Sequence, residues 1–439
     1  MVKGKKVGVI SLGCDKNRVD TEKMLAVLKK RHLITDDIKE AEIIIINTCA
    51  FLSASRKEAI EEILSAAKMK TEGRAQKIIV TGCLPQKFPG EIFDSLTEAD
   101  VILGTDDYQA INRAIDLSYE KAERLNLVGR CDKDCPSDRI LTTDGYAYLK
   151  IAEGCSNHCT YCLIPSIRGK YRSFKKDALI KEAEKLGTVN ELILVAQDVT
   201  KYGEDLSPKS SLPDLIRSLS ALDNVKGIRL LYCYPEGITD ELIREISVNA
   251  KMIRYIDVPF QHASDRILKL MNRKGSFDFY LSLVEKLKRE VPGIAVRSTF
   301  IAGFPTETEE DFNILLDFIK KAKLSNAGFF KYSKEEGTAA AKLDGQIKAG
   351  IKTARVKKLY AAQKRVVKEN GKDFVGKIFK VVCEGFDENE LAYYGRAYFN
   401  APDIDGKIYF FSDKETEKGK FYNVRILKAD SYDYYGERI

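Results

Sequence analysis

Three thiols stand within eight residues in Cys155-Ser156-Asn157-His158-Cys159-Thr160-Tyr161-Cys162, with three residues and then two between them. Cysteines spaced this closely in a reduced compartment signal a metal or iron–sulfur site. Three thiolates leave one tetrahedral iron position without a protein ligand, open to a substrate or cofactor. A zinc ion with a distant fourth ligand is the alternative that the spacing leaves open. His158, if it were a ligand, would close the open corner, so it reads as part of the loop's own structure. Tyr161 reads as a ring packed over the site.

A second trio is scattered. Cys14, Cys49 and Cys83 each follow a short, β-branched apolar run, in SLGC, NTC and TGC. The runs span 6–12, 43–47, 77–81 and 101–104, are continuous rather than alternating, and are separated by helix-like stretches such as 53–67. That is the signature of a parallel sheet covered by helices on both faces. Open α/β sheets bind ligands at the carboxyl ends of their strands. Strands lie about 4.8 Å apart, so three neighbouring strand tips bring three thiols together. Three buried structural cysteines are the alternative. Gly13 and Gly82 in these turns leave room for backbone to approach a bulky group.

The elements needed to position the compact trio come next. Six strand-like runs, at 146–152, 191–196, 227–234, 253–259, 295–302 and 326–332, alternate with amphipathic segments. This pattern predicts a partial or complete (β/α)6 barrel. The trio then lies in the loop after the first strand, on the catalytic face, and the polar pieces Gln197-Asp198 and Gln261-His262 follow other strands of the same barrel. His262 reads as a packing residue, and Cys233 and Cys383 as buried small hydrophobes. Residues 345–371 form a basic helix whose charge reads as a solvated face. Residues 372–439 turn to β character with Gly, Asp and Asn in the turns, predicting a small antiparallel barrel of about five strands, oligonucleotide-binding in type. The domain plan is therefore 1–125 (parallel-sheet α/β), 126–145 (linker, with Cys131 and Cys135 as incidental thiols), 146–371 (barrel and trailing helix) and 372–439 (small β-barrel).

Composition sets the bounds. The 439 residues are 44% hydrophobic and 31% charged, as in a soluble globular chain. The opening KGKKVGVISLG runs into a strand rather than a signal peptide, and no apolar run reaches membrane-spanning length. The expected compartment is the cytoplasm, where ten cysteines are not disulfide staples. The terminal barrel holds 11 Lys and Arg against 13 Asp and Glu, a net −2, which leaves +9 on the rest of a chain carrying +7. A nucleic-acid-binding barrel is usually basic; this one suits a basic protein partner better.

With both trios and all three domains in view, the C-x3-C-x2-C loop is similar to the signature of radical S-adenosylmethionine (SAM) enzymes. The whole chain resembles the methylthiotransferase family of those enzymes, with its own cluster-binding domain, a radical SAM barrel and a terminal TRAM domain. The strings SLGCDKNRVDTE, YAYLKIAEGCSNHCTYCLIPSIRG, VAQDVTKYGEDL, DVPFQHASDRILKLMNR, STFIAGFPTETEEDF and FKYSKEEGTAA resemble the branch that modifies small-subunit ribosomal protein twelve. The branches that modify transfer RNA differ at two of these places. They carry GCQMN-like text at the first cysteine, and an arginine–proline-type pair where this chain has Glu335-Glu336.

That resemblance implies two [4Fe–4S] clusters and SAM. Cys155, Cys159 and Cys162 would hold the cluster that binds SAM and splits it to a 5′-deoxyadenosyl radical. Cys14, Cys49 and Cys83 would hold an auxiliary cluster that carries the sulfur. The implied product is a methylthio group on the β-carbon of an aspartate of the ribosomal protein, with transfer RNA adenosine as the alternative substrate and a non-enzymatic iron–sulfur carrier as a distant third reading. A reductant and a sulfur donor are implied but not identified, and no membrane partner is. Gln197 and Asp198 are candidates to hold the SAM amino group. Arg297 and Ser298 on the fifth strand are candidates for its ribose or carboxylate, with Arg297 also readable as a clamp for the target carboxylate or as one half of a structural ion pair.

Overall fold

The computed structural model describes residues 1–129 and 138–439; Cys131 and Cys135 lie outside them. The first sheet contains β1 (Lys6–Ser11), β2 (Leu33–Thr35), β3 (Ile43–Thr48), β4 (Lys77–Gly82), β5 (Val101–Ile102) and β6 (Leu125–Asn126). It is parallel throughout, in the order β2-β1-β3-β4-β5-β6. β3 shows why its run is continuously apolar. Ile44 and Ile46 face one helix layer while Ile43 and Ile45 face the other, and all four are buried. β2 and β6 are additions to the runs read from sequence.

The second sheet contains β7 (Tyr146–Lys150) and, past the short β8 (Ala152–Glu153) and β9 (Arg172–Ser173), the strands β10 (Glu191–Val195), β11 (Ile228–Leu230), β12 (Met252–Asp257), β13 (Ala295–Ala302) and β14 (Asn326–Lys331). All five pairings between these six strands run parallel, in the order β14-β13-β12-β11-β10-β7, and β7 does not close onto β14. The barrel is therefore partial. Residues alternate between faces along each strand. Ala147, Leu149, Leu192 and Leu194 face the helices, whereas Tyr146, Tyr148, Ile193 and Val195 face the lumen.

The third domain is a closed barrel of β15 (Ile378–Asp387), β16 (Ala392–Arg396), β17 (Ile408–Phe411), β18 (Phe421–Asp430) and β19 (Asp433–Arg438), in the order β15-β16-β17-β19-β18. Its pairings are antiparallel except β17 with β19, which is parallel. An odd number of strands closed in a ring requires one such pair, because directions cannot alternate all the way round. The segment after β16 plugs the amino-terminal end of the large barrel. Ala397, Phe399 and Ala401 share a core with Tyr146, Tyr148 and Tyr255, and Tyr255 donates to Asp405 at 2.7 Å. The helix Ala349–Lys372 buries Leu359, Gln363 and Val367 and leaves Lys357, Lys358, Lys364, Arg365 and Lys368 exposed, the solvated basic face its charge pattern suggests. Among the described residues, no helix is long and apolar enough to cross a membrane.

The first two domains are locked together by the helix Asp15–Lys29. Eleven of its fifteen residues are buried, because it lies between its own sheet and the large barrel. Lys23 pairs with Glu182 at 2.9 Å, Thr142 donates to Glu22 from both its backbone and its hydroxyl, and Lys150 pairs with Asp20. A second lock starts from Glu335. The helix Ser53–Thr71 has no side-chain cap of its own. Glu335, in the loop after β14, accepts from the Ser53 backbone N–H at 3.0 Å and pairs with Arg56 at 2.7 Å. A carboxylate from another domain thus satisfies an orphan donor at this helix start. Its neighbour Glu336 is exposed.

Candidate cluster and cofactor site

β1, β3 and β4 are neighbours, so the turns that leave them carry Cys14, Cys49 and Cys83 to one edge of the first sheet. Cys14 precedes the helix Asp15–Lys29, and Cys83 opens the helix Cys83–Lys87. The two glycines have a more local task than admitting a cluster. Gly13 (φ +92) would drive a Cβ to 2.7 Å from the Cys49 Cβ, and Gly82 (φ +96) would drive one to 2.4 Å from the Asn47 Oδ1. Each lets adjacent cysteine turns nest. Cys14 is exposed, whereas Cys49 and Cys83 are buried. Burial pushes the Cys49 thiol up and the Cys83 thiol up to about 11, against the pull of Arg168 on both.

The compact trio hangs from a pinched base. β8 and β9 pair across Ala152–Ser173 and Glu153–Arg172, holding the ends of the loop together. Within it the Asn157 N–H points at the Cys155 Sγ (3.5 Å) and the Ile164 N–H at the Cys162 Sγ (3.4 Å), contacts that favour charged sulfur. Cys159 lies 3.7 Å from the Tyr234 hydroxyl. Thr160 is tied to the Met271 carbonyl at 3.1 Å and to Ala340 at 2.9 Å. Burial pushes the Cys162 thiol up to about 12. Tyr161 packs beside Ile267, Met271, Phe304 and Tyr332. His158 is exposed with φ +52, in keeping with a role in the loop's own path. His262 is fully buried, accepts from the Ser264 N–H at 3.0 Å and faces Glu307, as a packing residue does.

Gly154 precedes this trio at φ +77, and a Cβ there would sit 2.2 Å from the Lys170 carbonyl oxygen. Replacing Gly154 by Ala therefore strains the loop by about 1–3 kcal/mol. The expected result is a loss of bound iron equal to that caused by Cys155→Ala. Iron assay after anaerobic reconstitution, beside the Cys155→Ala variant, checks this.

The four residues named for SAM separate. Gln197 follows β10, donates to Glu153 at 2.8 Å and leaves its buried Oε1 with no partner. Asp198 is fully buried and spends its carboxylate on Thr200 and on Asn157, inside the cysteine loop, at 2.9 Å. It holds the loop. Arg297 faces the lumen, pairs with Asp257 at 2.8 Å and lies 3.6 Å from Asp405 of the terminal domain, which is the ion-pair arrangement. Ser298 corrects the sequence expectation. Adjacent strand residues point to opposite faces, and its fully buried hydroxyl accepts from the Phe260 N–H at 3.2 Å, away from the lumen.

The sequence reading passed over a buried quartet at the domain boundary. Lys150 pairs with Asp20 and with Glu153 (2.7 Å), and Arg168 pairs with Asp20 (3.0 Å) and Glu153 (3.0 Å). The second Arg168 nitrogen donates to Asn17 and to the Cys83 Sγ at 3.4 Å. Two cations and two carboxylates thus run from Cys83 through Arg168 and Glu153 to Gln197 and to the Gly154 N–H, the residue before the compact trio. A signal was present. Lys150, Glu153 and Arg168 all lie in the string around the second trio, and Asn17 and Asp20 lie in the string around Cys14.

A cavity of about 660 Å³ opens at this boundary, with Cys14 and Asp15 on one wall, Tyr148, Leu231 and Tyr232 on the other, and Asp403 and Ile404 at its edge. A larger one, about 710 Å³, lies at the opposite end of the barrel against the terminal domain and is lined by none of the six cysteines. The first is lined by one of the six, Cys14. Among the described residues, no three His, Cys, Asp or Glu side chains are arranged to hold a single metal ion. Each trio supplies three thiols for a multi-iron cluster, a donor set that suits one.

The comparisons agree with this geometry. Residues 6–104 match the uncharacterized protein family UPF0004, residues 149–319 the radical SAM superfamily and residues 375–439 the TRAM domain. A solved radical SAM methyltransferase, TsrM from Kitasatospora setae with cobalamin and a [4Fe–4S] cluster bound, shares the fold at a TM-score of 0.56 and 13% identity, over 75% of each chain. The fold and the cysteine loop thus define a radical SAM enzyme, and with that class come one [4Fe–4S] cluster and SAM. A curated protein from Acetivibrio thermocellus, ribosomal protein uS12 methylthiotransferase RimO, is 45% identical over 99% of this chain and 98% of its own. Its namesake from Clostridium tetani is 46% identical over 98% and 97%. The chain belongs to the RimO family of radical SAM methylthiotransferases.

Proposed function

We propose that this enzyme adds a methylthio group to the β-carbon of one aspartate in ribosomal protein uS12, the protein named as substrate of its relatives, and does so in the cytoplasm. The single observation that carries the reading is that the helix following the compact trio packs into the first domain's core and lays Arg168 against Cys83 of the scattered trio. Cys155, Cys159 and Cys162 hold one [4Fe–4S] cluster, and Cys14, Cys49 and Cys83 hold a second. When bound, these clusters and SAM supply what polar side chains cannot, an oxidant for an unactivated carbon and a sulfur atom to replace its hydrogen.

The chain's own residues position and enclose. Gln197 turns its unpartnered Oε1 to the SAM amino group, which relieves an orphaned buried acceptor. Asp198 and Lys201 grip Asn157, at 2.9 and 2.6 Å, and so fix the loop that bears the compact trio. Arg297 serves the fold through Asp257 and Asp405 rather than the cofactor. Tyr148, Leu231 and Tyr232 form the wall opposite Cys14 where the target side chain enters and keep water from the reacting carbon. A transfer RNA substrate is disfavoured by the names of the relatives and by the slightly acidic terminal barrel.

Gene disruption followed by mass spectrometry tests the substrate. The expected result is loss of a methylthio group from uS12 with transfer RNA unchanged; loss from transfer RNA alone overturns it. For the cofactors, reconstitution is expected to load close to eight irons per chain.

A further inference from the structure

Arg168 stands at a position that the cysteine spacing does not account for. It closes the short helix Ile164–Arg168, which begins two residues after Cys162. Its side chain crosses the domain boundary to the other trio, where one nitrogen donates to the Cys83 Sγ at 3.4 Å. The group is buried, and its remaining contacts are Asn17, Asp20 and Glu153. The cationic edge is thus aimed at one sulfur of the scattered trio while its charge is balanced from behind by carboxylates. An N–H donor or a positive charge at a ligand sulfur stabilises the more negative, reduced state of an iron–sulfur cluster and raises its reduction potential.

We propose that Arg168 is a positioning residue that sets the reduction potential of the cluster held by Cys14, Cys49 and Cys83, and makes that potential depend on the docking of the radical SAM domain. This rests on the two-cluster reading above. Because the guanidinium is carried by the helix that follows Cys162, it reaches Cys83 only when the loop of the compact trio is folded against the first domain. Asp20 acts with the opposite sign, since its carboxylate draws the guanidinium's charge away from the sulfur. Lys150 shares Asp20 and Glu153 with Arg168 and keeps the pair of carboxylates from over-compensating it.

The test is an anaerobic redox titration followed by EPR on the reconstituted full-length enzyme, in wild-type, Arg168→Met and Asp20→Asn forms. The SAM-binding cluster is told apart by the change that added SAM makes to its spectrum. Arg168→Met is expected to lower the reduced-to-oxidised ratio of the other cluster at least tenfold at a fixed potential, about 59 mV for a one-electron couple. Asp20→Asn, nearly isosteric, is expected to move it in the opposite direction. The SAM-binding cluster stays at its wild-type potential in both, and Arg168→Lys recovers part of the loss. If Arg168→Met does not load, the upward shift in Asp20→Asn decides alone. Eight irons per chain with the second cluster's potential unmoved in the variants that load overturns the Arg168 assignment only. Four irons in the wild-type enzyme overturns the two-cluster reading and this inference with it.

Discussion

Replacing any of Cys155, Cys159 or Cys162 by Ala is expected to reduce SAM cleavage to background, whereas replacing Cys14, Cys49 or Cys83 leaves cleavage running and abolishes methylthio transfer. The two trios belong to different domains, so each set of variants removes one donor set and spares the fold of the other. 5′-Deoxyadenosine measured by chromatography reports on the first trio, and the modified peptide measured by mass spectrometry reports on both. Iron should fall by about half in either set. The scattered trio has a structural reason to be dispensable for cleavage: its strands, β1, β3 and β4, contribute nothing to the pinched base formed by β8 and β9. Loss of 5′-deoxyadenosine in Cys49→Ala at undiminished iron in the compact trio would sink the division of labour.

Glu153→Ala is expected to be the most destabilising single change, at about 3–5 kcal/mol, because it leaves buried Lys150 and Arg168 to share one carboxylate. Glu153 also accepts from Gln197 and from the Gly154 N–H, so the damage extends into the cysteine loop. Urea unfolding of the apo-protein checks the magnitude. Burial pushes the Glu153 carboxyl up, but Arg168 and Lys150 outweigh burial and hold it well below the usual carboxylate range. A carboxyl whose folded pKa is depressed contributes stability that is present above its unfolded value, about 4.3, and lost as pH falls toward the folded one. The difference between wild type and Glu153→Gln should therefore be constant above about pH 5 and shrink below it.

The two sheets were legible because burial on both faces writes itself as unbroken β-branched runs, such as Ile43 to Ile46. The cysteines were legible because each follows such a run. β2, three residues long, and β9, two residues long, carry too little sequence to show a period. β19 is polar and aromatic and is held by its neighbours in a closed ring rather than by an apolar run of its own. The quartet at the boundary was hidden for another reason. Lys150 and Asp20 are 130 positions apart, and Arg168 and Cys83 are 85 apart, so nothing local marks them as partners. Ser298 shows the converse, a miss that strand alternation contradicts, since Val296 and Phe300 share its face and belong to the helix-side core.

The Glu335 contact bears on how the chain is made. The helix Ser53–Thr71 leaves the ribosome with its first turn uncapped, and the carboxylate that completes it lies 282 residues further on. At about 5–20 residues per second, the first domain waits roughly 14–56 s for a residue of the second. Through that interval the turn that follows Cys49 is held by its own sheet and helix alone, Arg56 donating to the Ala50 carbonyl. The order of synthesis thus postpones the finished geometry of the scattered trio until the last barrel strand has emerged. A fragment ending before residue 335 would therefore present these cysteines in a looser setting than the whole enzyme does.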